Sequence, residues 1–222
     1  MAAVAMNRTV ARLVLVMTIC SACSAGGHVV APVRAQPGEG LSIAFVGDVP
    51  FSSSSGYEKG MVSCVAGAVR DELPTLKAVP SRVLLRVLFA SSSARAEALD
   101  PLSLMLLRDD PAARQRVSAV GIRYVIALSG GSGIVEEQTI NTPIAVGGMW
   151  TRRSSYSAEI YDVTSGRLTA TASAWADAGG GVGFGLIPPF LYIVPTFTHS
   201  RACARLGALV VEALGGPAAP PD

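Results

Sequence analysis

The clearest pattern in the chain is an alternation of period two over residues 167–176. Leu168, Ala170, Ala172, Ala174 and Ala176 share one side, while Arg167, Thr169, Thr171, Ser173 and Trp175 share the other. This spacing predicts a half-buried antiparallel strand. Its small inward residues point to close packing against a helix. Residues 155–163 form the other arm of a hairpin around Thr164-Ser165-Gly166. Residues 41–46 and 122–128 are β-rich runs; the first ends at Gly47-Asp48 and Pro50, the second at Ser129-Gly130-Gly131-Ser132-Gly133. Residues 83–89 are almost continuously apolar and predict a central, buried strand.

Helical spacing covers residues 57–73, where Tyr57, Met61, Cys64, Val65, Ala68, Val69 and Leu73 share a broad face before Pro74 stops the helix. Asp100-Pro101 and Asp110-Pro111 each place a capping acid before proline at a first helical position, predicting helices over 101–108 and 111–120. Thr198 caps a last helix running to about residue 214, with Cys203, Leu206, Val210 and Leu214 on one stripe and Gly215 as its stop. Residues 134–150 read as an extended excursion. The predicted fold is a single mixed α/β domain over residues 41–216. It has a mixed sheet of about five strands, helices packed on it and a C-terminal helix. Residues 217–222 are a Pro/Ala-rich tail.

Half of the 222 residues are hydrophobic and only 15% are charged, below the roughly one quarter common in soluble domains. Part of the deficit is the N-terminus. Arg8 and Arg12 precede a short apolar run, residues 13–19. That run is too short to span about 30 Å of hydrocarbon, which takes roughly 20 residues, so residues 1–22 read as a cleaved signal peptide. Cys20-Ser21-Ala22-Cys23 resembles a bacterial lipobox, with Cys23 as the lipidated residue. Cys20 departs from the aliphatic residue usual at that position, and an ordinary secretory signal cut after Ala25 is the alternative. Residues 23–40 read as a lipid-anchored tether in which His28 is solvated. Loss of residues 1–22 removes two arginines and no acid, leaving 16 bases and 16 acids. A neutral chain with scattered arginines argues against a nucleic-acid partner.

Catalytic constellations are weak. His199 is the one histidine in 41–216, and no Gly-x-Ser-x-Gly elbow accompanies it. Two histidines and few clustered acids do not make a zinc set. Gly179-Gly180-Gly181-Val182-Gly183-Phe184-Gly185 lacks the Gly-Lys-Ser/Thr ending of a phosphate loop and reads as a flexible connection. No enzyme activity, cofactor or metal is expected. Cys64 and Cys203 lie on the apolar faces of two predicted helices. In an oxidising compartment they form either a disulfide or two buried thiols; a bridge would close a loop of about 140 residues, worth up to about 5 kcal/mol. Residues 182–197 carry no charge but hold Phe184, Leu186, Ile187, Phe190, Leu191, Tyr192 and Phe197, with prolines that forbid a regular helix. They are either a buried loop or an exposed patch for a partner or the bilayer interface.

Three local patterns resemble a group of envelope lipoproteins. The group comprises the curli secretion channel lipoprotein, the outer-membrane activators of penicillin-binding proteins and the N-terminal domain of the Tol–Pal protein TolB. The patterns are Ile43 to Val46 leading through a Ser-rich loop to a helix, Val120-Gly121 followed by Ile122-Arg123-Tyr124-Val125-Ile126, and Ile160-Tyr161-Asp162-Val163-Thr164-Ser165-Gly166-Arg167. The likeness spans residues 41–214. It implies a non-enzymatic role in envelope assembly or partner binding, with another envelope protein as partner. Ser24 after the lipidated cysteine implies transfer to the outer membrane, periplasmic face; a soluble periplasmic or secreted protein is the alternative. A small-ligand or lipid-binding module, walled by the Gly-rich stretch and residues 182–197, is the second functional reading, and a hydrolase the third.

Overall fold

The computed structural model describes residues 23–45, 55–89, 101–142, 145–185, 190–192 and 198–219. Residues 1–22, and with them the signal peptide, lie outside it. Among the described residues there are seven strands: β1 (Cys23–Val30), β2 (Gly40–Phe45), β3 (Lys77–Val79), β4 (Tyr124–Thr142), β5 (Ala145–Asp162), β6 (Arg167–Gly185) and β7 (Phe190–Tyr192). Five helices accompany them among the described residues: α1 (Ser55–Glu72), α2 (Ser81–Leu88), α3 (Pro101–Asp109), α4 (Pro111–Ala119) and α5 (Thr198–Ala213). They form one mixed sheet in the order β1-β6-β5-β4-β2-β3, with β7 on β6. β2 runs parallel to both β3 and β4, and β4, β5, β6 and β1 are successively antiparallel.

Two apolar layers cover the body of the sheet. On one side α1 and α5 bury Met61, Val65, Leu206 and Val210 against Ile126, Leu128, Ile160 and Ala170 to Ala176. On the other, α2, α3 and α4 bury Leu84, Leu85, Leu88, Leu107 and Val117 against Ala44, Val125 and Val163. Burial on both faces explains why Tyr124 to Leu128 are buried without alternation. β6 is covered on one face only, so its alternation is clean. The inward alanines let α5 come close. Gly207 serves the same closeness between α5 and α1, since a Cβ there would lie 2.8 Å from that of Ala68.

Local chemistry sets the boundaries. The Asp110 carboxylate accepts the Ala112 N–H at 2.8 Å and Pro111 opens α4. Gly121, with φ +80°, turns the chain out of α4. In the β5–β6 turn the Asp162 carboxylate accepts the Thr164 N–H at 2.8 Å, and Gly166 supplies a positive φ of 67°. Arg123 fastens this turn, donating to Asp162 at 3.1 Å and Thr164 at 2.6 Å.

Several expectations are corrected. Residues 83–89 are not a central strand: the chain forms α2, burying Leu84, Leu85 and Leu88 and leaving Arg82 and Arg86 in solvent. Those burials fall at i, i+1 and i+4, which is helical spacing; the continuous apolar run concealed it. Residues 23–40 are not simply a tether, because Cys23–Val30 pairs with β6 and Val33 and Ala35 donate to the carbonyls of Ala213 and Leu214. The stretch 129–133 does not close β4, and 179–185 is not a flexible connection; both glycine-rich runs stay in strands, held by a β5 partner at each row. Residues 134–142 and 145–150 are paired strand in β4 and β5. Among the described residues the sheet therefore has seven strands rather than about five. Leu168 leaves the inward face because the register shifts between Ile160 and Tyr161; it is exposed. In the tail, the Ala219 N–H donates to Glu212 at 3.0 Å.

Candidate functional site

Three strands run well past the helices. β2 pairs with β4 only as far as Leu128, whereas β4 continues to Thr142, β5 starts at Ala145 and β6 ends at Gly185. Cys23, Ala178, Arg152 and Ile134 occupy one row across the sheet at the root of this extension. From that row to Gly185 is seven residues, about 23 Å at the usual strand rise.

The root is polar and tightly knit. Arg152 Nε donates to Ser132 Oγ at 2.9 Å. The fully buried Ser154 Oγ lies 3.0 Å from Ser132 Oγ and 2.9 Å from Thr198 Oγ1. The Tyr156 hydroxyl meets His199 Nδ1 at 2.5 Å, with the rings edge to face. Burial pushes the His199 imidazole below its ordinary pKa, favouring the neutral ring. This network joins the start of α5 to the root of β5. On the other face Arg153 pairs with Asp177 at 2.6 and 2.7 Å and stacks over Trp175 at 5.2 Å.

Beyond the root no helix covers the extension among the described residues, and large apolar side chains stand in solvent. Ile134 is 62% exposed, Val146 57% and Met149 50%. A register shift between Ile134 and Glu136 brings Glu137 opposite Trp150. The Trp150 indole lies over Gly180, where an added Cβ would meet the ring at 2.9 Å. Gly179, Gly181, Gly183 and Gly185 share one face of β6 by strand alternation.

The expected contact residues fall around this extension. Phe184 is in β6 opposite Val146. Phe190, Leu191 and Tyr192 form β7 and pair with Gly183, Val182 and Gly181. Leu186, Ile187 and Phe197 lie outside the described residues. Sequence reasoning missed Ile134, Val146, Met149 and Trp150 as a surface. For Val146, Met149 and Trp150 the absence of charge from 138 to 151 was the available signal, but the row that aligns Ile134 with Cys23 was not. Cys64 in α1 and Cys203 in α5 are joined as a disulfide, with Cα atoms 6.3 Å apart. His28 is exposed beside Ser173 Oγ. No cluster of three or more metal-binding side chains occurs among the described residues.

A second feature lies elsewhere. An apolar cavity of about 280 Å³ sits beneath α1, lined by Leu41, Ile43, Val62, Val69, Leu73 and Leu76, with Arg70 among its walls. It is not formed by residues 179–197, where a ligand pocket was expected.

The fold defines a mixed α/β domain with a lengthened antiparallel sheet. Neither a protein-family model nor a curated protein matches the chain. Solved structures with a similar course include the PelC dodecamer from Paraburkholderia phytofirmans, at 11% identity and TM-score 0.42, covering 86% of this chain and 97% of that one. A lipoprotein from Neisseria meningitidis has 12% identity and TM-score 0.35, covering 74% and 91%. A neuraminyllactose-binding hemagglutinin homolog from Helicobacter pylori has 8% identity and TM-score 0.37, covering 82% and 85%. Likenesses of this degree carry no argument about activity. No helix among the described residues is long and apolar enough to cross a membrane.

Proposed function

We propose that this chain is a lipid-anchored, non-catalytic protein of the bacterial envelope that works by binding, with the sheet extension as its contact surface. The observation that supports the reading is the row Cys23–Ala178–Arg152–Ile134. It puts the lipobox-like cysteine at the root of an uncovered sheet bearing exposed Ile134, Val146 and Met149. Exposed apolar groups gathered at one end of a fold mark an interaction site more often than chance scatter does. The outer membrane, periplasmic face, is the proposed address, and another envelope protein is a candidate partner.

The test is palmitate labelling and fractionation of wild type beside Cys23→Ser, followed by capture of partners from the membrane-bound form. Labelled, membrane-bound wild type and unlabelled, released Cys23→Ser are expected. A Cys23→Ser chain that stays fully membrane-bound removes the anchor from this reading.

A second reading, a small-ligand or lipid-binding module, is favoured by the apolar cavity beneath α1. Its size is near the lower end of ligand pockets, about 300 Å³. A fluorescent fatty acid displaced by unlabelled fatty acid, and lost in Val69→Trp, would support it.

A further inference from the structure

Residues 138–151 and residues 178–198 hold no Asp, Glu, Lys or Arg. The strand register brings them together. Their described parts, residues 138–142 with 145–151 and 178–185 with 190–192, lie in the far ends of β4, β5 and β6 and in β7. Charges resume on β5 and β6 at Arg152, Arg153 and Asp177, while on β4 Glu136 and Glu137 stand just past the Cys23 row, opposite Thr151 and Trp150. Trp150 stands two residues past the Cys23 row, about 7 Å. One headgroup layer of a bilayer is about 6 Å thick. Met149 and Val146 lie further along, toward the tip.

We propose that the end of this extension is a second membrane contact. It seats in the same bilayer that would take the Cys23 acyl chains, with the Arg152 row at headgroup level and Trp150 at the interface. The inference rests on the lipoprotein reading above and names the occupant of its contact surface. Three observations choose a lipid surface. On β5 and β6 the charge-free zone begins just past Arg152 and Asp177, and on β4 it begins past Glu137, which faces Trp150. A tryptophan occupies the depth where amphipathic rings are most at home. Within the extension the exposed Val146 and Met149 fall past that depth, with Ile134 and Val135 at the root row. β1 runs away from the tip, since Cys23 pairs with Ala178 and Val30 with Thr171. Acyl chains on Cys23 would therefore leave toward the tip, alongside β6. The outer edge of β4 is unpaired past Leu128 among the described residues. Unpaired backbone groups are costly in hydrocarbon, so a single copy seats shallowly rather than crossing.

The test uses the mature-length chain carrying Cys23→Ser, so that no acyl group binds for it, and vesicles of phosphatidylethanolamine and phosphatidylglycerol. The chain has two tryptophans, and each can report alone. In Trp175→Phe, Trp150 emission is expected to shift blue on adding vesicles and to be quenched by bromine on the lipid acyl chains. In Trp150→Phe, Trp175 is expected to do neither. Val146→Asp with Met149→Asp is expected to lower the vesicle-bound fraction roughly tenfold or more. Its thermal midpoint should not change, because both side chains are exposed. A Trp150 unmoved by saturating vesicles overturns the proposal. So does a photo-crosslinker at Met149 that captures a protein rather than lipid in cells. Wild type that takes palmitate label while Trp150 stays unmoved would sink the membrane seat alone; wild type without label would sink the lipoprotein reading.

Discussion

The same three strands make two different regions. Along the body, β4, β5 and β6 put Leu128, Ala158, Ile160 and Ala172 under α5, all essentially without solvent contact. Past the Cys23 row the strands and their ladder continue, but no helix covers them among the described residues, and Val146 and Met149 stand in solvent. Backbone pairing alone extends a sheet; side-chain cover is what makes it a core. The first region is held by burial at roughly 25 cal/mol per Å² of apolar surface. The second is held mainly by hydrogen bonds between strands and by an indole laid over Gly180. A difference of this kind separates the part that keeps the fold from the part free to bind.

The comparison can be broken or sharpened by measurement. The largest effect is expected from Cys203→Ser. It opens a bridge between residues 139 apart and removes about 4 kcal/mol of unfolding free energy. Reductant should lower the wild-type denaturation midpoint and leave the variant's unchanged. Leu206→Ala empties a fully buried site between α5 and the sheet and should cost about 3 kcal/mol by chemical denaturation. If it costs no more than Met149→Ala, body and extension are not different in kind.

Acidification tests the junction between the two regions. Burial lowers the His199 pKa in the folded chain, so below the ordinary histidine value the unfolded chain takes up the proton first. Stability is then fully present above about pH 6.5 and declines as pH falls from there toward the lowered folded value. Thermal midpoints across that window should fall in wild type and fall less in His199→Gln. Cutting the exposed Arg153–Asp177 pair with Asp177→Asn should cost only about 0.5 kcal/mol. The smallest change, within about 0.5 kcal/mol of zero, is expected from Met149→Ser in the extension. A large loss there would show that the extension is part of the core.

How far the sequence was legible follows from the range of each signal. The α4 cap at Asp110-Pro111, the hairpin turn at Thr164-Ser165-Gly166 and α5 after Thr198 are local, and each was readable from residues within one turn of its place. α2 was misread because two apolar neighbours, Leu84 and Leu85, look alike on a helix or a buried strand. β1 and the far ends of β4 and β6 were missed for another reason. Their glycines, Gly26, Gly27, Gly130, Gly131 and Gly179 to Gly185, disfavour strands in isolation. They are held by a partner distant in sequence, and such pairing has no local signature. The candidate site was half visible. Its apolar residues 182–197 and Cys23 could be picked out, but not the row that joins Cys23 to Arg152 and Ile134.

What the sequence determined by itself is the alternation of β6, the capped helices, the lipobox-like leader and the charge-free stretches. Each depends on chemistry within a few residues. What only the tertiary structure decided is which of these meet. Glycine-rich segments became strands because β5 supplied a hydrogen-bond partner at each row. Cys64 found Cys203 because α1 and α5 pack on the same face of the sheet. Cys23 became the root of an exposed extension because β1 happens to pair with β6 in one register and no other. A register slip of one residue would turn every side chain of β1 to the opposite face. It is the half-buried Ala25 and Val29 side, packed against the core around α5, that holds it in place.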